Sequence, residues 1–426
     1  MNILIVSFES WRETNNGGNV LSNIFASFDD ANIAQIYCSG ELPQNSVCCK
    51  YFQISDSMLL SKSKGKALDE KYYNENVPQA DAVENKIKSR LPHCFREAAL
   101  LAREVLWSCF NWKTQELRKF ISDFRPDIIF APCYSYFHVS KLALYAKSIA
   151  NCPMISYISD DNYSLKQLRV SPSFWINRII TRKWIRRHFS ESSLIYTMTD
   201  LQKKEYGVLF GRPMKVLCKA ADFSAGEKIV GSPVRLIYAG GLYLNRWKVL
   251  KKLALAIEKI NEAEKKAELH IYSGSQLNGH KTKNLNDQKN SFLHKSIPYQ
   301  ELIEQYKKSD IAVHVESFDL KNRLITRLSF STKIIDCMNS GCALLAIGPS
   351  SQAGIAYLKE NDAAICVSNV PELDSVLKKT IDNPELITKY AGRAKELGIK
   401  NHSKTNIENN LKQDFFDIMT GKTPNT

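Results

Sequence analysis

Strands alternating with helices in both halves of the 426-residue chain predict an α/β protein, two doubly wound Rossmann-like domains on parallel sheets. Three observations carry this. An apolar run at residues 2–7 leads through Gly17-Gly18 into helical spacing at Val20, Leu21, Ile24, Phe25 and Phe28. A second series of strand, glycine turn and helix starts at Arg235. Between the two, Gly211, Pro213, Gly226, Gly231 and Pro233 crowd one short stretch and read as an interdomain linker.

In the first half, residues 56–82 are polar and Lys-rich and read as a long loop. Residues 84–121 read as helix interrupted at Pro92. Strands are expected at 127–131, 153–158 and 194–198, with a helix over 140–150 and another from Asp200. In the second half, strands are expected at 235–239, 267–272, 310–315 and 343–347. Helices are expected at 248–260, 299–308, 332–339, 371–380 and 384–395. The domain boundaries follow as 1–212 and 213–390, with 391–426 a helix and tail that return to the first domain.

Composition narrows the function classes. At 44% hydrophobic and 24% charged residues, the chain has enough apolar surface for real cores and is not a disordered one. No apolar run reaches the length of a membrane span, and the N-terminus lacks the basic start of a secretory signal. A cytoplasmic protein is expected, with its eleven cysteines as reduced thiols. The cysteines and histidines show no metal-ligand spacing, so neither metal nor cofactor is expected. A net charge of +14 points to anionic partners: nucleic acid, a membrane surface or phosphorylated small molecules.

Distribution of charge selects among these. In Tyr238-Ala-Gly-Gly-Leu-Tyr-Leu-Asn-Arg-Trp-Lys248, two glycines follow a strand, and Arg246 and Lys248 open the next helix. Cations oppose a helix N-terminus unless an anion binds there. Thr332-Lys333-Ile334-Ile335-Asp336 again sets a cation in a first helical turn, with a carboxylate three residues on and a stop at Gly341. Ser331 or Thr332 is the expected N-cap. A lysine on phosphates and an aspartate on ribose hydroxyls would suit a nucleotide.

These blocks, with Ile297-Pro298-Tyr299-x-Glu301-Leu302, resemble the nucleotide-sugar domain of GT-B glycosyltransferases. Among them they resemble most the retaining family 4 enzymes of bacterial surface polysaccharide synthesis. The resemblance implies that Arg246 and Lys248 bind the donor diphosphate; Glu316, Thr332 and Lys333 are further donor-site candidates. It implies that Asp336 holds the ribose, that backbone near Ile297 meets the base, and that Gly17-Gly18 faces the donor from the first domain. Two positions depart from the family pattern. The family spaces two glutamates eight apart, whereas here Asp336 takes the second place and Glu316 lies 20 positions before it. Where the family carries a catalytic His and then Asp, this chain has Ser159-Asp160-Asp161, which makes Asp160 and Asp161 the candidates at the reacting sugar.

Residues 174–189 combine Arg178, Arg182 and Arg186 with Trp175, Ile176, Ile180 and Trp184, a basic amphipathic helix suited to an anionic membrane surface. The expected activity is transfer of a sugar from a nucleotide diphosphate donor to a hydroxyl acceptor, a lipid-linked glycan on the cytoplasmic leaflet. A sugar-nucleotide epimerase of the same fold and a catalytically degenerate partner subunit are the alternatives. Nucleic acid is not an expected partner, since no recognition helix or base-stacking sheet accompanies the basic cluster.

Overall fold

The structure is a computed structural model that describes residues 1–12, 16–61, 64–68, 93–226, 228–277 and 279–422. It divides into two compact units. The first comprises Met1–Leu217 with Glu408–Thr426, and the second Cys218–Ile407.

In order, the first unit contains β1 (Asn2–Ser7), α1 (Asn16–Phe25), β2 (Asn32–Tyr37), β3 (Lys50–Gln53), α2 (Asp56–Leu60) and β4 (Lys66–Leu68). There follow α3 (His93–Cys109), α4 (Gln115–Phe124), β5 (Ile128–Pro132), α5 (Phe137–Ala150), β6 (Met154–Ile158), α6 (Pro172–Ser190), β7 (Leu194–Thr197), α7 (Asp200–Phe210) and β8 (Met214–Val216). The second unit contains β9 (Val234–Ala239), α8 (Arg246–Ile260), β10 (Ala267–Tyr272), α9 (Gly279–Lys283), β11 (Ser291–His294), α10 (Tyr299–Lys307) and β12 (Ile311–Val315). It continues through α11 (Leu320–Thr326), α12 (Lys333–Met338), β13 (Ala343–Ile347), α13 (Ala353–Glu360), β14 (Ile365–Val367), α14 (Leu373–Ile381) and α15 (Pro384–His402). The last helix, α16 (Lys404–Met419), carries the chain back into the first unit.

Local chemistry explains many boundaries. Thr114 and Thr199 cap α4 and α7, their hydroxyls accepting from Leu117 N and Gln202 N. Ser171 caps α6, with Pro172 at the first helical position where no N–H is needed. Gly211 ends α7 at a φ of 58°, which glycine adopts without strain.

The first sheet runs β4-β3-β2-β1-β5-β6-β7-β8, parallel except for the β3–β4 edge pair. Its central strands are buried on both faces, hence their unbroken apolar runs. Helix α16 completes this unit. Phe415 packs edge-on to Phe25 and Phe28 and stacks on Phe130, and Asp414 accepts from Tyr196 Oη at 2.7 Å and pairs with Lys215. The expected boundary at 391 is therefore displaced. α15 stays with the second unit, against β13, and the return begins at Glu408.

The second sheet is wholly parallel, ordered β11-β10-β9-β12-β13-β14. Consecutive strands step outward from β9 in one direction and then, from β12, in the other. In both sheets the order reverses once, between β1 and β5 and between β9 and β12. Such a reversal leaves the loops after the two central strands diverging, which opens a crevice at their carboxyl ends.

Several elements depart from the expectation. β2, β3, β11 and β14 carry no alternating or long apolar signal and were not expected. The 56–82 loop contains α2 and β4, and its remainder at 69–82 lies outside the described residues, as does Pro92. The linker region 211–233 contributes β8 to the first sheet.

Candidate functional site

In the second unit the reversal point gathers the groups with the strongest electrostatic coupling. β9 ends at Ala239 and leads through Gly240-Gly241 to α8, while β12 ends at Val315 and leads to Glu316. Arg246 Nη2 donates to Glu316 Oε1 at 2.8 Å, and both side chains are nearly buried, 11% and 9% exposed. Arg246 Nε is buried without a partner. The Lys333 ammonium lies against Gly240, so closely that a Cβ there would overlap it. Burial and then the Arg246 charge push that ammonium below its ordinary value. His314 Nε2 lies 3.6 Å from Glu316 Oε1. Burial, followed by the charges of Arg246 and Lys333, pushes this imidazole down to about 3 and keeps it neutral. Burial pushes the Glu316 carboxyl up against the pull of Arg246. Arg246 is thus paired with Glu316 at a strand-end crevice, and Lys333 feels Arg246 as a like charge, with Asp336 and Glu316 pulling the other way. The repulsion between the two cations is relieved by an added anion.

The other expected donor-side residues are distributed differently. Lys248 is half exposed, its Nζ 3.9 Å from Asp319 Oδ2. Asp319 also accepts from Asn245 Nδ2 at 2.6 Å. Arg246 and Lys248, expected together on the donor, thus have different carboxylate neighbours. They stand two positions apart on α8, which turns them to different neighbours, Glu316 and Asp319. Asp336 Oδ1 accepts from Lys219 Nζ at 2.5 Å, and burial and then Asp336 push the Tyr299 phenol up to about 12. Thr332 occupies the position before α12, but neither it nor Ser331 caps the helix with its side chain. Ile297 lies half-buried in the connection from β11 to α10.

In the first unit, Gly17 and Gly18 are not a loop. They form the first turn of α1. Gly17 N donates to Glu9 Oε2 at 3.3 Å, and a Cβ on Gly18 would collide with the Arg12 backbone. Close packing of the turn against the strand end explains both glycines. Asp160 is exposed just beyond β6. Asp161 is buried, and its carboxylate accepts from Ser164 N at 2.9 Å, Ser164 Oγ at 2.5 Å and Tyr206 Oη at 3.0 Å. That assigns Asp161 to holding its loop, not to reacting groups.

The basic stripe of α6 is tied to the loop that precedes it. Arg178 is 8% exposed and donates to Asp161 O at 3.0 Å. Arg182 donates to Tyr163 O, and Arg186 to Tyr163 Oη, each at 2.5 Å. These arginines hold the 161–164 loop through its carbonyls and one phenol. The exposed face of α6 carries Ile176, Ile179, Lys183, Arg186 and Arg187.

Sequence reasoning missed Glu104, Arg103, Lys219 and Asp319. Glu104 and His138 form a fully buried pair, Oε1 to Nδ1 at 2.7 Å, beside the β5 strand end. Arg103 lies over the rings of Phe8 and Tyr136, 4.6 and 4.4 Å from their centroids, with Nε and Nη2 lacking partners among the described residues. Lys219 reaches Asp336 across 117 residues. Asp319, just beyond β12, draws off Lys248. No local pattern marks any of them. Among the described residues, no group of three His, Cys, Asp or Glu side chains is placed to hold a metal ion.

No protein-family model matches the chain, and no curated protein matches its sequence. Solved structures do resemble it. HepE from Anabaena, solved in complex with UDP, superposes with a TM-score of 0.63 at 11% identity, over 98% of this chain and 100% of that one. The sucrose-phosphate synthase from Thermosynechococcus elongatus gives 0.64 at 11% identity, covering 99% and 100%. The α,α-trehalose 6-phosphate synthase from Burkholderia multivorans gives 0.60 at 10%, covering 99% and 97%. At these identities the likeness establishes the fold, the GT-B class of two doubly wound α/β units.

Proposed function

We propose that the chain is a glycosyltransferase that moves a sugar from a nucleotide diphosphate sugar to a hydroxyl acceptor. The observation that carries this reading is the buried Arg246–Glu316 pair where the strand order reverses, with the Lys333 ammonium held nearby against Gly240. A diphosphate is the ligand that two partly desolvated cations at a strand-end crevice accommodate best. HepE, bound to UDP in its crystal structure, supports the nucleotide class.

In this reading, Arg246 and Lys333 bind the diphosphate and stabilise the charge that develops as the glycosidic bond breaks. Glu316 orients Arg246, and neutral His314 adds no competing charge. Asp336 meets the ribose hydroxyls after releasing Lys219, and the connection at Ile297 meets the base. Asp160, exposed beyond β6, stands on the acceptor side. With the cations carrying the leaving-group charge, the reaction runs without a metal. The resemblance of the motif blocks to family 4 extends the reading to retention of configuration and to a lipid-linked acceptor in polysaccharide synthesis. Among the described residues no helix is long and apolar enough to cross a membrane. The exposed Ile176, Ile179, Lys183 and Arg187 face of α6 would meet an anionic cytoplasmic leaflet from one side.

Calorimetric titration with UDP tests the donor site. Arg246→Ala should weaken UDP by about ten- to a hundredfold, the worth of a charge-assisted bond of roughly 1.5–3 kcal/mol. Lys248→Ala should change it less than about threefold, because that half-exposed amine faces Asp319. Undiminished UDP binding by Arg246→Ala would remove the basis of the assignment.

A further inference from the structure

The first unit holds a second concave feature, on its helical layer. A cavity of about 450 Å³ opens where the end of α3 and the turn after it meet α5 and α6. This is within the range of small-molecule sites, about 300–1,000 Å³. Its walls are aromatic, with Trp112, Trp184 and Tyr145 among them. Three cations line it, Lys113, Lys141 and Arg187, and among the described residues no Asp or Glu does.

The cations have only weak partners. Lys113 Nζ lies 5.5 and 5.3 Å from the ring centroids of Trp112 and Tyr145. Lys141 Nζ lies 5.1 Å from the Trp184 centroid and donates to Ser108 Oγ at 2.9 Å. Arg187 lies 5.7 Å from the same indole. Burial pushes the Lys141 ammonium down, and the Lys113 charge adds to this, while Glu104 pulls the other way. Glu104 is already bonded to His138, to its backbone N–H and to its ring, and is not a cavity wall. The cavity therefore carries like charge facing like charge, with rings rather than acids beside it. An anion entering it would replace cation–ring contacts by charge-assisted hydrogen bonds, which are stronger.

The neutral lining refines the ligand class. Ser108, Asn111 and Ser148 add hydroxyl and amide groups to the walls. A bare anion needs neither these nor the rings, and an acyl chain needs no hydroxyl partners. We propose that this cavity binds an acidic sugar. The sugar's C–H face lies on an indole, its hydroxyls bond the serines and the asparagine, and its carboxylate or phosphate is taken by Lys113 and Lys141. Such a unit is the chemistry of a charged acceptor glycan. Its place in a reaction rests on the proposed sugar transfer, but its binding does not.

Glucuronic acid and glucose 6-phosphate serve as probes, titrated into the full chain and followed by tryptophan fluorescence. Both are expected to saturate and to compete with each other. Glucose and inorganic phosphate should each bind at least about tenfold more weakly, since each lacks one half of the recognition. Lys113→Ala is an exposed change that the fold tolerates, and it should weaken both acidic sugars about tenfold. Lys141→Ala should do the same, with circular dichroism confirming its fold. Saturating UDP should leave the titration unchanged, and both variants should keep parental UDP affinity, which separates this cavity from the donor site. Absence of saturable binding to either acidic sugar would overturn the proposal. So would equal affinity for inorganic phosphate, parental affinity in Lys113→Ala, or binding seen only with anionic phosphatidylglycerol vesicles.

Discussion

Gly240 offers a clean perturbation of the donor site, because it acts on Lys333 without touching a charge. The backbone at Gly240 needs no left-handed angle, so alanine is conformationally permitted. The obstacle is the space its Cβ would occupy, which holds the Lys333 ammonium, with Tyr238 Oη at 3.1 Å. The ammonium ends a flexible side chain and moves away at small cost. We expect Gly240→Ala to change stability by less than about 1 kcal/mol. UDP affinity should nonetheless fall by about tenfold or more, since a displaced cation forfeits a phosphate bond of roughly 1.5–3 kcal/mol. Lys333→Ala should lose a similar amount. The decisive measurement is the double variant in a calorimetric UDP titration. If both changes act through the same ammonium, Gly240→Ala should add almost nothing once Lys333 is alanine. Full additivity, or a loss in Gly240→Ala with none in Lys333→Ala, would refute the reasoning.

Three further outcomes are expected. Asp161→Ala leaves the Ser164 N–H and the Ser164 and Tyr206 hydroxyls without their acceptor, so urea unfolding should show a loss of about 2–4 kcal/mol while UDP affinity holds. Arg178→Glu buries a charge against the Asp161 carbonyl and should destabilise by about 3 kcal/mol or more, whereas Lys183→Glu, exposed on the same helix, should stay within about 0.5 kcal/mol in the same assay. Buried His314 and His402, pushed down to about 3 and about 4, must shed protons that the unfolded chain binds below about 6.5. Their contribution is fully present above pH 6.5 and is lost as pH falls toward 4, at up to about 1.4 kcal/mol per pH unit for each; denaturant unfolding at pH 7, 6 and 5 should show that slope reduced in His402→Asn.

The sequence by itself determined the α/β class and most of the central strands, because β1, β5, β6, β9, β12 and β13 are largely buried and therefore predominantly apolar. It also determined that a cation opens α8 and that Lys333 and Asp336 share α12, since these are neighbours along the chain. Edge strands such as β4 and β14 escaped it, being three residues each, too short to show a periodicity. Which side chains meet was decided only by tertiary structure. Arg246 finds Glu316 across 70 residues, Asp336 finds Lys219 across 117, and Asp414 finds Tyr196 across 218. The direction of the α6 arginines was likewise set by the carbonyls of a loop that precedes them. Local periodicity records which face a residue shares with its near neighbours. The charge that a side chain finally meets depends on how the sheet orders its strands, and that order is fixed by packing between segments that no short window contains.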